Sequence, residues 1–154
     1  MIVPAEGEFR LDAEADTARL GVAIAAELKA GDTICLSGPL GAGKSTLARG
    51  LIRALTTADE DVPSPTFTLV QFYEGRPAVA HFDLYRLNSP DEAYELGLDE
   101  ALEAGAAVIE WPQRLEGRLP PDRLDIEIAF DETGEGRRAR LTPHGAWEGR
   151  GIEF

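Results

Sequence analysis

The residues with the clearest chemical potential are 38–45, which read Gly-Pro-Leu-Gly-Ala-Gly-Lys-Ser and match the phosphate-loop pattern G-x-x-x-x-G-K-[ST]. Lys44 is one of only two lysines beside thirteen arginines. A compact ammonium can reach β- and γ-phosphate oxygens as a point charge, while glycines let backbone N–H groups converge on the phosphates. The Ser45 hydroxyl can coordinate Mg²⁺. The predicted nucleotide-binding residues are Gly41, Ala42, Gly43, Lys44, Ser45 and Thr46.

The alternative is a glycine-rich turn with an accidental lysine, and the flanking residues argue against it. Residues 32–37 form a mostly apolar, β-branched run typical of a buried strand. Residues 46–55 repeat apolar side chains at helical spacing. Strand, loop and helix thus follow in the order that a phosphate loop needs. The helix N-terminus would add its partial positive charge and free amides to the site.

Hydrolysis or phosphoryl transfer also needs a placed Mg²⁺ and an oriented nucleophile, so carboxylates are the next candidates. Glu110 ends the apolar strand predicted over 106–110, where parallel strands deliver side chains to a ligand. We predict that Glu110 contacts Mg²⁺, directly or through water, or positions the attacking water; a solvated strand-end glutamate is the alternative. Asp83 ends another predicted strand and could bind the water shell of the ion or act as a base.

Three further side chains are candidates, and one basic cluster is assigned to the surface. Thr66, in a loop with two prolines, could offer oxygen to the ion, although the loop can equally be a stiff turn. Trp111 could pack on a nucleotide or simply fill the core. His81 shares a strand face with Asp83 and could support it, but a lone histidine in a half-buried strand is more often structural. The basic cluster 137–140 is predicted to be a solvated strand face.

The elements that would position these residues predict an α/β fold. We expect a P-loop NTPase-type, three-layer arrangement with a mixed sheet, in which antiparallel hairpins extend a parallel core. Ser89 and Glu92 have the form of a capping box, and Gly31 should end the first helix. The predicted helices are 12–28, 46–55, one from Ser89 to Gly97, and 99–103; the predicted strands are 32–37, 67–73, 78–83, 106–110, 124–130 and 137–142.

Composition limits the possible functions. With 154 residues and 44% hydrophobic content, one domain over 1–154 is expected, with a weakly patterned tail at 143–154. The net charge of −13 disfavours extensive direct contact with nucleic acid or an anionic membrane, so a partner should hold any RNA. We expect the single cysteine, Cys35, to pack in the core of a protein that lies in a reducing compartment. No leader or membrane-spanning run is present, so a cytoplasmic protein is expected.

Taken together, these motifs resemble the TsaE (YjeE) family, the P-loop ATPase of bacterial tRNA threonylcarbamoyladenosine synthesis. The resemblance extends from about residue 17 to residue 140. It rests on five ordered segments: Leu-Gly-Ala-Gly-Lys at 40–44, Ser-Pro-Thr-Phe-Thr-Leu-Val at 64–70, His-Phe-Asp-Leu-Tyr-Arg-Leu at 81–87, Glu-Leu-Gly at 95–97 and Ile-Glu-Trp-Pro at 109–112.

The resemblance implies an ATPase that is weak alone, binds ATP or ADP with Mg²⁺, and docks on the TsaB–TsaD pair. That pair modifies adenosine 37 of tRNA, so tRNA contact would be indirect, and ATP use would reset the complex between turnovers. By motif position, Lys44 would bind phosphate and Asp83 would assist hydrolysis. Ser45 and Glu110 would serve Mg²⁺, and Thr66 would belong to a switch-like loop.

Thr17 looks like the threonine that the family keeps near the nucleotide base. Three positions depart from the family pattern. The family usually has aspartate at the position of Pro39, threonine at that of Ser45 and a basic residue at that of Pro63. Serine keeps the ion-binding hydroxyl, so these departures bear on loop stiffness and partner contact more than on the chemistry.

Two other functions stay open from the sequence. A small-molecule kinase could use the same loop, but it would need an acceptor pocket and usually an arginine-rich lid. A nucleotide-binding switch would control a partner by ATP occupancy alone. That switch differs from the ATPase only in whether its function depends on ATP turnover.

Overall fold

The computed structural model describes residues 1–154, which form a seven-stranded mixed sheet, a separate two-stranded sheet and four α-helices. One-turn 3₁₀ helices lie at Pro112–Leu115 and Gly145–Trp147. The helices are α1 (Glu14–Ala25), α2 (Lys44–Leu55), α3 (Pro90–Glu95) and α4 (Leu98–Ala104). The strands are β1 (Ile2–Pro4), β2 (Gly7–Leu11), β3 (Thr33–Ser37), β4 (Val70–Tyr73), β5 (Val79–Asp83), β6 (Ala106–Glu110), β7 (Arg123–Phe130), β8 (Arg137–Pro143) and β9 (Gly151–Glu153).

The large sheet has the strand order β2-β8-β7-β3-β6-β5-β4. Its four central strands, β7, β3, β6 and β5, run parallel to one another. Hairpin partners then extend the sheet on both sides, with β4 antiparallel to β5 and β8 antiparallel to β7. The predicted α/β fold, with a parallel core and antiparallel extensions, is therefore confirmed.

Helices cover both faces of the sheet, which gives the three predicted layers. Helices α1 and α2 pack on one face around a core of 27 buried residues. Helices α3 and α4 and the first 3₁₀ turn pack on the other face around a core of 9. Successive residues of β6 serve the two cores in turn, because side chains alternate across a strand: Val108 faces the first and Ile109 the second.

Two glycines bring α1 and α2 unusually close together. A Cβ added to Gly21 would collide with the backbone carbonyl of Leu47, and one added to Gly50 would collide with that of Ala18. The absence of side chains at these points lets the helix backbones touch. Helix α1 is thereby fixed against the helix that begins at the phosphate loop.

The central elements occur where the sequence predicts them, but several boundaries differ. Helix α1 ends at Ala25, and Gly31 lies in the following turn, where its N–H donates to the Gly105 carbonyl. Strand β4 begins at Val70 because residues 66–69 form a turn, in which Leu69 adopts a φ of +68°. The predicted capping box at Ser89 is wrong, since its side chain makes no capping hydrogen bond.

The chain termini hold structure that the sequence analysis did not predict. Strand β1 pairs with β9, and β2 adds to the large sheet beside β8. The tail, predicted to be weakly patterned, carries the fully buried Trp147. Strands β1 and β9 have three residues each, so the alternation of their apolar and polar side chains is too short to detect in the sequence. The two strands also lie at opposite ends of the chain.

Candidate functional site

The phosphate loop connects β3 to α2, and three glycines shape it. Gly38, Gly41 and Gly43 have φ values of +143°, +80° and +115°, a region that other residues rarely adopt. Gly38 also packs directly on β7, because an added Cβ would collide with the Ile128 carbonyl oxygen. Helix α2 begins at Lys44, immediately after the loop. The loop amides and the helix N-terminus thus converge on one place, as anion binding requires.

Lys44 is buried at the base of this loop. Its Nζ donates to the Gly38 carbonyl and lies 4.0 Å from the centroid of the Trp111 ring, a cation–π contact. Burial lowers the pKa of Lys44, and the negative charges of Glu110 and Asp83 offset part of that shift. The ammonium therefore sits in a site where an additional anion would be favourable.

Asp83 and Glu110 lie side by side at the carboxyl ends of neighbouring parallel strands. They are direct partners in the register of β5 and β6, and both side chains are buried. Asp83 is held by two donors: the Tyr85 N–H at 3.1 Å from Oδ1 and the Thr66 hydroxyl at 3.3 Å from Oδ2. The Thr66 hydroxyl is itself 2.9 Å from that of Ser64. A loop residue is therefore connected to the carboxylate pair.

His81 contacts Glu110 and not Asp83, so the predicted support of Asp83 is wrong. The His81 Nε2 lies 2.7 Å from Glu110 Oε2, and both side chains are buried. Its Nδ1 has no hydrogen-bond partner. This arrangement assigns the ring proton to Nε2, because a buried Nδ1–H would lack an acceptor. The register explains the contact: Glu110 pairs with Asp83, and His81 lies two residues before Asp83 on the same strand face, so His81 is a diagonal neighbour of Glu110.

A cleft of about 260 Å³ is lined by Lys44, Asp83 and Glu110. No cluster of three or more His, Cys, Asp or Glu side chains that could hold a metal is present. The exposed Ser45 hydroxyl and two carboxylates are a partial oxygen set, which fits Mg²⁺ because this ion usually keeps waters and shares phosphate oxygens. The cleft collects most of the predicted site residues: Gly41, Gly43, Lys44, Ser45, Thr46, Thr66, Asp83, Glu110 and Trp111.

Thr17 lies on the other side of the loop. It is buried, and a Cβ added to Gly43 would come within 3.3 Å of the Thr17 methyl carbon. Thr17 and Ala42 line a second cavity, which also contains Arg137. Arg137 belongs to the cluster that is predicted to be a solvated strand face, and only the alternation of side chains along 137–142 could have separated it from its neighbours.

Trp111 has a left-handed φ of +60° directly after Glu110. Its ring contacts both the Lys44 ammonium and the Tyr85 ring, whose centroid is 4.9 Å away. A positive φ is uncommon for a bulky side chain, and such residues cluster at functional sites. The turn at Trp111 thus places an aromatic ring in the wall of the cleft.

Comparison with known proteins identifies the family. The family model described as "Threonylcarbamoyl adenosine biosynthesis protein TsaE" matches residues 11–139. The chain belongs to the TsaE family. The tRNA threonylcarbamoyladenosine biosynthesis protein TsaE of Rickettsia conorii is 38% identical over 135 residues, which is 87% of this chain and 77% of that protein. The TsaE protein of Mycobacterium tuberculosis H37Rv is 42% identical over 123 residues, 73% of each chain.

A solved structure agrees with this membership in the TsaE family. The crystal structure of Bacillus subtilis YdiB superposes with a TM-score of 0.76 at 30% identity, covering 94% of this chain and 88% of that one. The family works in tRNA threonylcarbamoyladenosine biosynthesis, and its phosphate-loop fold indicates nucleotide binding. None of the four helices is long and apolar enough to span a bilayer.

Proposed function

We propose that this TsaE-family protein is an Mg²⁺-dependent ATPase that supports threonylcarbamoylation of adenosine 37 in tRNA by acting on a TsaB–TsaD complex in the cytoplasm. The observation that carries the ATPase proposal is the pairing of Asp83 with Glu110 in one register, beside Lys44. A protein that only binds nucleotide needs the phosphate loop, whereas hydrolysis also needs carboxylates close to the γ-phosphate.

Each residue has a distinct role in this proposal. The loop amides and Lys44 bind the phosphates, and Lys44 exchanges its contact with the Gly38 carbonyl for phosphate oxygens. Ser45 and Glu110 would hold Mg²⁺, which would neutralise phosphate charge. Asp83, held by Thr66 and the Tyr85 amide, orients the attacking water. Because Thr66 donates to Asp83, movement of its loop would alter the orientation of that carboxylate.

The kinase alternative has less support, because two of the three clustered arginines are engaged elsewhere. Arg140 pairs with Glu8 at 2.6 Å, and Arg138 pairs with Glu132 at 2.7 Å. An arginine-rich lid for phosphoryl transfer would need guanidinium groups that face the phosphates.

The switch alternative predicts a different outcome for one variant. In Glu110→Ala, a switch that works by occupancy would keep its effect on the partner after hydrolysis is lost. A protein that depends on turnover would instead stall the TsaB–TsaD reaction after the first cycle.

The decisive experiment measures ATP hydrolysis with Mg²⁺, alone and with TsaB–TsaD added, with Lys44→Ala as the blank. We expect slow turnover that rises with the partners and is absent in the variant. Turnover that the partners leave unchanged would contradict the coupling. Absence of turnover under both conditions, with ATP binding intact, would favour the switch.

A further inference from the structure

A long groove lies on the outer side of the helix pair α1 and α2. Its volume is about 620 Å³, against about 260 Å³ for the phosphate cleft. The residues that line it recur every three or four positions, so they share one face of each helix. Two turns of α2 take part, which makes the groove about 12 Å long. It is lined by Glu14, Ala15, Ala18 and Val22 of α1, by Thr46, Arg49, Gly50, Arg53 and Ala54 of α2, and by Ala58.

The floor of the groove is apolar and open to solvent. Gly50 packs directly on the main chain of Ala18, so the two helices run side by side with no large side chain between them. Ala54 is exposed, and Val22 keeps 48% of its surface exposed. Apolar surface gathered in a concavity with a polar rim is typical of an interaction site. The trough between two helices fits a third helix, because ridges of side chains on one helix pack into the grooves of its neighbours.

One wall of the groove carries two guanidinium groups that have no carboxylate partner. Arg49 and Arg53 lie about one turn apart on α2, and neither belongs to any ion pair of the chain. Their one side-chain hydrogen bond runs from the Arg53 Nε to the Glu60 carbonyl at 3.0 Å. The one carboxylate of the lining, Glu14, accepts from the Thr46 hydroxyl at 3.4 Å, at the end nearest the phosphate loop. The wall of α2 therefore favours an occupant with acidic side chains.

Other kinds of occupant fit this combination less well. A small polar ligand would find few donors and acceptors over the apolar floor. Two guanidinium groups in a chain of net charge −13 are a poor match for a nucleic-acid backbone. A symmetric pair of copies would bring Arg49 and Arg53 of both chains together, and these like charges would repel one another.

We propose that this groove is a docking surface for an acidic amphipathic helix, contributed by the TsaB–TsaD complex on which the ATPase acts. The apolar side of that helix lies on the groove floor, and its acidic edge faces Arg49 and Arg53. This inference rests on the proposed function and adds the surface through which the partner binds. Helix α2 begins at Lys44, so a helix docked here contacts the element that carries the phosphate-binding lysine. The partner thus reaches the nucleotide site without entering the cleft.

The test measures binding of TsaB–TsaD to wild type and three variants by calorimetry. Arg49→Glu reverses a charge on the wall, and Ala54→Tyr fills the floor without a change of charge. Arg138→Glu is the matched control: it makes the same charge reversal on the opposite face of the sheet, because its neighbour Ala139 faces the core under α1 and α2. We expect Arg49→Glu and Ala54→Tyr each to weaken binding by about tenfold or more, and Arg138→Glu by less than about twofold.

Two further readouts separate the groove from the fold and charge from shape. ADP binding monitors folding, and it should stay within about twofold of wild type in all three variants, because none of the substituted residues lines the phosphate cleft. Wild-type binding of TsaB–TsaD should weaken as salt is added, since salt screens the attraction to the acidic helix. Arg49→Glu should lose much of this salt dependence, whereas Ala54→Tyr should keep it at a lower affinity.

Four outcomes would overturn the inference. Equal weakening by Arg49→Glu and Arg138→Glu would assign the effect to net charge alone. Wild-type affinity in Ala54→Tyr would show that the floor is free in the complex. Binding of tRNA by the isolated protein that Arg49→Glu abolishes would make the groove an RNA surface, and a dimer that Ala54→Tyr dissociates would assign it to a second copy.

Failure of the proposed function looks different from failure of this inference. In the first case, wild type neither binds TsaB–TsaD nor gains ATP turnover from it, and both proposals fall together. In the second case, wild-type binding and stimulation are intact, and the groove variants match Arg138→Glu.

Discussion

The His81 Nε2 and the Glu110 Oε2 lie 2.7 Å apart in the interior, on neighbouring parallel strands. The other histidine nitrogen has no partner, so the hydrogen bond to Glu110 is the one polar contact of the ring. A buried carboxylate with a single fixed donor has a defined orientation. In the proposed ATPase, the direction in which Glu110 presents its second oxygen is therefore set by His81.

Replacing His81 with phenylalanine should lower Mg²⁺-dependent ATP turnover by about ten- to a hundredfold, because loss of a supporting partner typically costs that much in metal affinity or activity. His81→Gln, which keeps an N–H donor, should recover a large part of it. The measurement is turnover as a function of Mg²⁺ concentration, with ADP binding as a check on folding. A phenylalanine variant with an unchanged Mg²⁺ requirement would show that the pair is only structural.

Gly38→Ala should destabilise the fold far more than Gly41→Ala, although both glycines lie in the same loop with positive φ. A Cβ at Gly38 would collide with the Ile128 carbonyl, whereas one at Gly41 meets nothing within 4 Å. We expect about 1 kcal/mol for Gly41→Ala from backbone strain and about 3 kcal/mol or more for Gly38→Ala, which adds overpacking. Urea unfolding measures both, and equal losses would contradict the contact with β7.

Most of the parallel core could be predicted from the sequence because its signals are local. An apolar run ending in Glu110 and a loop with Lys44 identify two strands and a helix without knowledge of their partners. Adjacent strands in a parallel sheet then bring Asp83 and Glu110 together. The contact between His81 and Glu110 depends on which strands are neighbours and in which register, and sequence spacing does not give that.

Structure that depends on distant partners could not be predicted from the sequence. Strand β1 and strand β9 pair across nearly the whole chain. Arg137 and Arg138 are adjacent in sequence, yet only the fold shows that one reaches Gly41 and the other Glu132. The turn at residues 66–69 shortens the predicted strand 67–73 at its start, because the Leu69 N–H donates to the Pro65 carbonyl.

Lys44→Met should abolish nucleotide binding without lowering the stability of the nucleotide-free protein. Burial lowers the pKa of Lys44 in the folded state, so the unfolded chain binds this proton more tightly. The charge therefore opposes folding in full below the lowered pKa of the folded state, and the penalty is lost as the pH rises from that pKa to the usual lysine pKa of about 10. Unfolding free energies at pH 8 and pH 10 test this. A methionine variant less stable than wild type at pH 8 would show that the Gly38 contact outweighs burial.

Arg150→Ala should destabilise the protein by about 3–5 kcal/mol, because it leaves the buried Asp32 carboxylate without its counter-charge. The Arg150 Nη2 lies 3.2 Å from Asp32 Oδ1, and the guanidinium covers the Trp147 ring at 4.4 Å. The tail is thereby fixed to the residue before β3.

Arg10→Ala is the matched control, since its pair with Asp12 is exposed and should be worth less than about 1 kcal/mol. Urea unfolding of Arg150→Ala, of Asp32→Asn and of the double variant measures the coupling. The double variant should recover part of the loss, because the uncompensated charge is gone; a single variant no less stable than Arg10→Ala would mean that the tail is held by Trp147 alone.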